Sequence, residues 1–186
     1  MSTENIPDIL PKRVAYRRFN NWADMDKQLR SDVVYMAMAM LTASQSKAVR
    51  AKVGALIVKD GIVCSSGYNG KPRGTDNYCE FEDENGQLHT SDMVVHAELN
   101  AVLNMVIANS GASIKDATVY VTYAPCPRCS AMLKQCGIAR VVFCLPYRDE
   151  SGLEFLIDNG VDVCQIKEEV MNDFLERFNA GKIQHK

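Results

Sequence analysis

The sequence has almost no net charge, no long apolar run and a single tryptophan, Trp22. Its 21 lysines and arginines nearly balance 23 aspartates and glutamates, a formal charge of −2. No global basic field therefore marks the chain for nucleic acid. No apolar stretch approaches the ~18 residues needed to cross a bilayer, so no membrane association is expected. The first thirty residues lack the apolar core of a secretory signal, and a cytoplasmic location is expected. Repeats, linkers and low-complexity tracts are also missing. Hydrophobic residues make up 47% of the 186 and charged residues 24%, which excludes disorder over the whole chain. What the sequence does have is cysteine, seven in all. An odd number in a reducing compartment points to metal binding, reactivity or packing rather than to disulfides.

Residues 1–25 differ from the rest and read as a partly ordered N-terminal extension, with residues 26–186 forming the main domain. The extension holds Pro7, Pro11 and a basic cluster at Lys12, Arg13, Arg17 and Arg18. Its aromatic residues Tyr16, Phe19 and Trp22 suit a second reading, an arm that docks on a neighbouring subunit. Residues 26–46 favour a buried helix, because Met36, Met38, Met40 and Leu41 alternate with alanines and all are strong helix formers. Residues 53–58 and 62–66 read as a hairpin turning at Lys59-Asp60-Gly61. A long polar loop is expected from Lys71 to about Ser91. A helix follows over 92–109, covered by Ala97, Ala101, Leu103, Val106 and Ile107. Strands are expected at 118–122, 138–145 and 161–166. Helices are expected at 127–136, 151–159 and 168–179, the first opened by Pro127 and closed by Gly137. Strands alternating with helices imply an α/β fold, a three-layer α/β/α sandwich around a five-stranded mixed sheet.

Two short patterns carry chemistry. One is His96-Ala97-Glu98; the other is Pro125-Cys126-Pro127-Arg128-Cys129. One imidazole and two thiolates are good zinc ligands. Three protein ligands leave a fourth tetrahedral position for water, the catalytic arrangement. Cys126 and Cys129 sit where a strand gives way to a helix, and the helix N-terminus favours their thiolate forms. Glu98 lies close enough to reach the water without ligating, so it suits a proton shuttle. Either pattern alone is weak, because a lone C-x-x-C also serves redox pairs and structural zinc. A closed structural site would need a fourth protein ligand and would leave Glu98 without a task.

Together these patterns are the signature of zinc nucleobase deaminases, and the chain resembles the cytidine deaminase superfamily. Within it, the sequence is most similar to the deoxycytidylate deaminases over roughly residues 31–166. The likeness runs through Ser46-Lys47, Lys52-Val53-Gly54-Ala55, Gly67-Tyr68-Asn69-Gly70, His96-Ala97-Glu98-Leu99-Asn100-Ala101 and Pro125-Cys126-x-x-Cys129. A histidine first ligand sets it apart from the three-cysteine nucleoside deaminases. Arg128 sets it apart from the Pro-Cys-x-Met-Cys of many tRNA adenosine and guanine deaminases.

The resemblance implies a cytidine-deaminase-like fold and zinc held by His96, Cys126 and Cys129, with Glu98 as the shuttle. It implies that the Ala97 N–H binds the pyrimidine carbonyl and that the backbone before Cys126, at Ala124 and Pro125, meets the exocyclic amine. Asn69 would bond the sugar hydroxyl and Tyr147 would border the ring. The reaction would convert dCMP to dUMP and ammonia. Hexamers, activation by dCTP with Mg²⁺ and inhibition by dTTP are further family properties. Lys47, Arg50 and Lys52 are candidate phosphate ligands by their clustering, with Arg73 and Arg148 as other cations. Cys79 and His89 are candidate ligands of a second, structural zinc that some relatives hold. Cys64, Cys136, Cys144 and Cys164 read as packing residues. Alternatives are a deaminase of dCTP, CMP, a modified cytosine nucleotide or a nucleic-acid base, and a non-catalytic nucleotide-sensing subunit.

Overall fold

The computed structural model describes residues 25–108 and 113–181. Residues 1–24 of the N-terminal extension, Trp22 among them, lie outside the described residues. The elements are α1 (Lys27–Ala43), β1 (Gly54–Lys59), β2 (Ile62–Tyr68), β3 (Glu80–Glu82), β4 (Leu88–Thr90) and α2 (Ala97–Ala108). They continue with β5 (Thr118–Tyr123), α3 (Pro127–Gln135), β6 (Arg140–Leu145), α4 (Ser151–Asp158), β7 (Asp162–Gln165) and α5 (Glu168–Asn179).

Five strands form one mixed sheet in the order β2-β1-β5-β6-β7. β1 is antiparallel to both β2 and β5, while β5, β6 and β7 run parallel. Successive side chains on a strand face opposite ways, and here both faces are apolar. Ala55, Ile57, Val119, Val121, Val141 and Phe143 join Ala97, Ala101, Leu133 and Leu156 in one core, under α2, α3 and α4. Leu56, Val58, Tyr120, Val142 and Cys144 join Leu29, Val33, Met36 and Met171 in the other, under α1 and α5. That double cover explains the near-continuous apolar reading of the central strands. It also confirms the three-layer α/β/α arrangement. Each fully buried leucine-sized side chain is worth about 1.5–3 kcal/mol in this setting.

Three expectations need correction. The segment read as a polar loop contains the hairpin β3–β4, paired Glu80 to Thr90, Phe81 to His89 and Glu82 to Leu88. Its strands are three residues long and carry charge, so they leave no apolar period to read. The turn is closed by Asp83, whose carboxylate accepts from the N–H groups of Asn85 and Gln87. Second, α2 starts at Ala97 rather than 92. Val95 is held extended by two backbone bonds to Gly70, so His96 sits just outside the helix. Third, α1 is not buried all round. Met36 and Ala39 are in the core, but Val34, Met38 and Leu41 face outward, Leu41 at 72% exposure. On α2, Leu103, Val106 and Ile107 likewise face outward, while Met105 packs inward.

Close approach sets where α2 lies. A Cβ on Gly67 would stand 2.3 Å from the Ala101 nitrogen and 2.6 Å from the Ala97 oxygen. Only glycine lets β2 come this near to the helix that carries Glu98. Among the described residues no helix is long and apolar enough to cross a membrane.

Candidate active site

The parallel strands end at the face where α3 begins, a position at which open α/β sheets bind ligands. The chain leaves β5, passes Ala124 and Pro125, and enters α3 with Cys126 as N-cap and Pro127 in the first turn. Cys129 is three residues on, so both sulfurs lie at one helix N-terminus. α2 begins at the same place. His96 precedes it, its carbonyl accepting from the Asn100 N–H at 2.9 Å, and Glu98 lies within that turn.

The His96 Nδ1 atom is 3.6 Å from the Cys126 Sγ and 3.5 Å from the Cys129 Sγ. A tetrahedral zinc with ordinary Zn–S and Zn–N bonds would set nitrogen and sulfur about 3.6 Å apart. The three ligand atoms thus already have the spacing of three corners of a zinc tetrahedron, all within 4.8 Å of one another. They are the one group of three or more such side chains among the described residues. The donor set, one imidazole and two thiols, is also one that zinc prefers.

The charges agree with a cation site. A hydrogen bond with Cys129, and then the His96 ring, pull the Cys126 thiol down to about 4. Cys129 is pushed up, first by its bond to the Cys126 thiolate and then by burial. The bond to Cys126 raises His96. Zinc takes its thiolate and imidazole ligands without these protons, so the same groups would hold it. Glu98 is 4% exposed. Burial raises its pKa, and bonds from its own N–H and from Cys129 only partly offset this. A carboxyl poised to hold a proton beside the ligands is what acid–base work needs.

His96 and Cys126 of the cluster line a cavity of about 440 Å³. His96, Ala97, Glu98 and Cys126 line it on one side, with Asn69, Tyr123 and Tyr147 around them. Ala124 and Pro125 lie in the turn between the lining residues Tyr123 and Cys126 and are not themselves lining. The Asn69 amide is bound to backbone: Oδ1 accepts from the Val53 N–H and Nδ2 donates to the Ala51 carbonyl, both at 2.9 Å. It therefore fixes the approach to β1, with one Nδ2 hydrogen left for a ligand.

The candidate phosphate ligands separate. Arg50 lines the cavity, as does Arg148 from the loop after β6, whose guanidinium lies over the Tyr147 ring at 5.8 Å. Lys47 instead lies over the Tyr78 ring at 5.8 Å, and Lys52 is exposed; neither is a lining residue. Arg73 bonds Asn104 beside a separate, smaller cavity. Cys79 and His89 are not brought together as ligands. Cys79 is buried, while His89 Nε2 pairs with Asp83 at 2.9 Å and stacks on Phe81. Cys144 and Cys164 are buried; Cys64 and Cys136 are half-buried.

Sequence reasoning missed Glu80 and Thr90, which line the cavity from the hairpin. Only the Asp83–Gly86 turn marks that hairpin in the sequence, and a turn alone does not say that the flanking residues pair.

Comparison with known proteins bears on the same residues. The family model for the cytidine and deoxycytidylate deaminase zinc-binding region matches residues 29–145, which include both motifs. Deoxycytidylate deaminase of Enterobacteria phage T4 is 32% identical, the match covering 74% of this chain and 90% of that protein. ComE operon protein 2 of Bacillus subtilis is 33% identical over 80% of each chain. Among solved structures, the dCMP deaminase of cyanophage S-TIM5 in complex with dCMP and dUMP is 37% identical. It covers 76% of this chain and 99% of that one, with a TM-score of 0.66.

Proposed function

Because the chain belongs to the cytidine and deoxycytidylate deaminase family, we propose that it hydrolyses dCMP to dUMP and ammonia. The observation that carries this reading is the zinc-spaced trio His96, Cys126 and Cys129 with the buried carboxyl of Glu98 beside it at the cavity. Zinc, when bound, lowers the pKa of a water to about 7 and so makes it a nucleophile near neutral pH. Glu98 takes a proton from the attacking water and passes it to the ring nitrogen next to C4. It then carries the second proton to the amine, so that C4 gains oxygen as the C–N bond breaks and ammonia leaves. The Ala97 N–H, in the first turn of α2 where backbone donors lack helical partners, holds the pyrimidine carbonyl. The carbonyl side of the 124–125 turn accepts from the amine. Asn69 gives its remaining amide hydrogen to the sugar, and Tyr147 borders the ring. Arg50 and Arg148 face the phosphate.

The same reading takes one zinc per chain and leaves Cys79 and His89 without a metal. It also includes a cytoplasmic homohexamer activated by dCTP with Mg²⁺ and inhibited by dTTP. These regulatory properties are tested by whether dCTP turns sigmoidal dCMP kinetics hyperbolic; hyperbolic kinetics indifferent to both triphosphates would reject them. The substrate is tested by ammonia release from zinc-replete protein offered dCMP, CMP, dCTP and deoxycytidine side by side. Selective turnover of dCMP is expected. Selective turnover of another compound would replace the substrate and keep the zinc chemistry.

A further inference from the structure

The 47–52 loop brings Arg50 to the cavity mouth but has no helix or strand of its own. Its backbone N–H groups therefore have no ladder of their own, and side chains elsewhere can hold them. One side chain of the insert holds two. Glu80 accepts from the Val49 N–H at 3.0 Å on one carboxylate oxygen and from the Arg50 N–H at 3.3 Å on the other. Thr90 is the cross-strand partner of Glu80 in the β3–β4 hairpin. Its hydroxyl accepts from the Arg50 Nη1 at 3.3 Å. One cross-strand pair thus grips Arg50 at both ends, backbone and guanidinium.

The hairpin is itself tied down. The Ser91 N–H donates to the carbonyl of the buried Cys79 at 2.8 Å, and the Gly70–Val95 pairing follows just before His96. A short path of backbone bonds thus links the grip on Arg50 to the metal cluster. A guanidinium presents a fork that suits a phosphate, and a long side chain held in advance loses less freedom when it binds.

We propose that Glu80 is the positioning residue that sets Arg50 to bind the 5′-phosphate of a nucleoside monophosphate. The β3–β4 hairpin then selects nucleotides over nucleosides, while the zinc cluster reads only the base. This rests on the reading of the cavity as a cytosine-nucleotide site.

The test measures kcat and KM for dCMP and deoxycytidine in the wild type, Glu80→Ala, Glu80→Gln, Arg50→Ala and the double variant, with zinc content as a check of folding. Glu80→Ala is expected to cut the preference for dCMP over deoxycytidine about ten-fold or more, the size of a lost charge-assisted contact. The loss falls mainly in KM for dCMP. Glu80→Gln, which keeps a carbonyl acceptor, recovers part of the preference, and the double variant is no worse than Arg50→Ala. Should Glu80→Ala not fold, Thr90→Val removes only the acceptor for the guanidinium and carries the same prediction at smaller amplitude. Equal losses on both substrates, or losses that multiply in the double variant, would overturn the proposal. Calorimetric binding of dUMP against deoxyuridine repeats the comparison without turnover. A wild type that binds dUMP in preference, loses that preference in Glu80→Ala, and never deaminates dCMP would sink the functional reading and leave the inference standing. A preference that is absent from the wild type, or that survives Glu80→Ala, would sink the inference whatever turnover shows.

Discussion

Among the described residues two carboxyl groups are buried, one on each face of the sheet, and their environments push them in opposite directions. Asp32 on α1 is fully buried. Burial alone would raise its pKa, but hydrogen bonds from Arg140, then Tyr120, then Gln28, together with the Arg140 charge, bring it below the usual carboxylate range. The Arg140 guanidinium holds both Asp32 oxygens, at 2.8 and 2.9 Å, and the Tyr120 hydroxyl donates at 2.6 Å. Glu98 has no arginine fixed against it, only the neighbouring His96 ring, and burial wins. A buried acid with its cation fixed in the fold stays charged and pins elements together, here α1 to β5 and β6. A buried acid beside a cavity, with the cation left to a bound ion, can gain and lose a proton. The difference between the two lies in the partner, since both carboxyls are largely out of water.

The largest break in this contrast comes from removing the site's hold on its ion. Cys126→Ala is expected to lose stoichiometric zinc and all turnover; full zinc by elemental analysis would refute its role as a ligand. Next, Arg140→Met takes the cation from Asp32 and is expected to cost about 3–5 kcal/mol, as for an uncompensated buried charge. Denaturant melting of the zinc-loaded protein reads that cost, and a loss below 1 kcal/mol would show that Asp32 is not held as an ion. Tyr120→Phe removes one donor to the same charge, about 1.5–3 kcal/mol. Turnover per folded molecule should be unchanged in that variant. The smallest effect is one of pH. Asp32 has a folded pKa below its ordinary value of 3.8, so the unfolded chain takes up the proton first. The stabilisation is then complete above about pH 4 and is lost as pH falls through and below that value. The gap in stability between wild type and Arg140→Met should narrow there, and a gap constant down to pH 3 would argue against the linkage.

The metal side was legible in the sequence, because its residues are few, chemically distinctive and closely spaced along two short segments. The sheet was legible too, as its central strands are apolar on both faces and bounded by turns. The Asp32 side was not. Asp32, Tyr120 and Arg140 are separated by 88 and 108 positions from aspartate to tyrosine and arginine, and nothing local marks a buried aspartate as paired. The β3–β4 hairpin escaped for a different reason: with three residues a strand and Glu80 and Glu82 flanking Phe81, polarity hides the pairing. The true start of α2 depends on Val95 bonding to Gly70, a contact 25 residues away in sequence. The outward Met38 and Leu41 share their residue types with the core, so composition could not separate the two faces of α1.

The most direct measurement sets the two carboxyls against each other. Glu98→Gln and Asp32→Asn, each isosteric, would be prepared zinc-replete and assayed together for zinc content, melting temperature and ammonia release from dCMP. The account predicts that Glu98→Gln keeps zinc and fold and loses turnover by about 10²–10⁴-fold or more, while Asp32→Asn melts earlier and keeps its turnover per folded molecule. Turnover that survives Glu98→Gln, or turnover that is lost in folded, zinc-loaded Asp32→Asn, would contradict it.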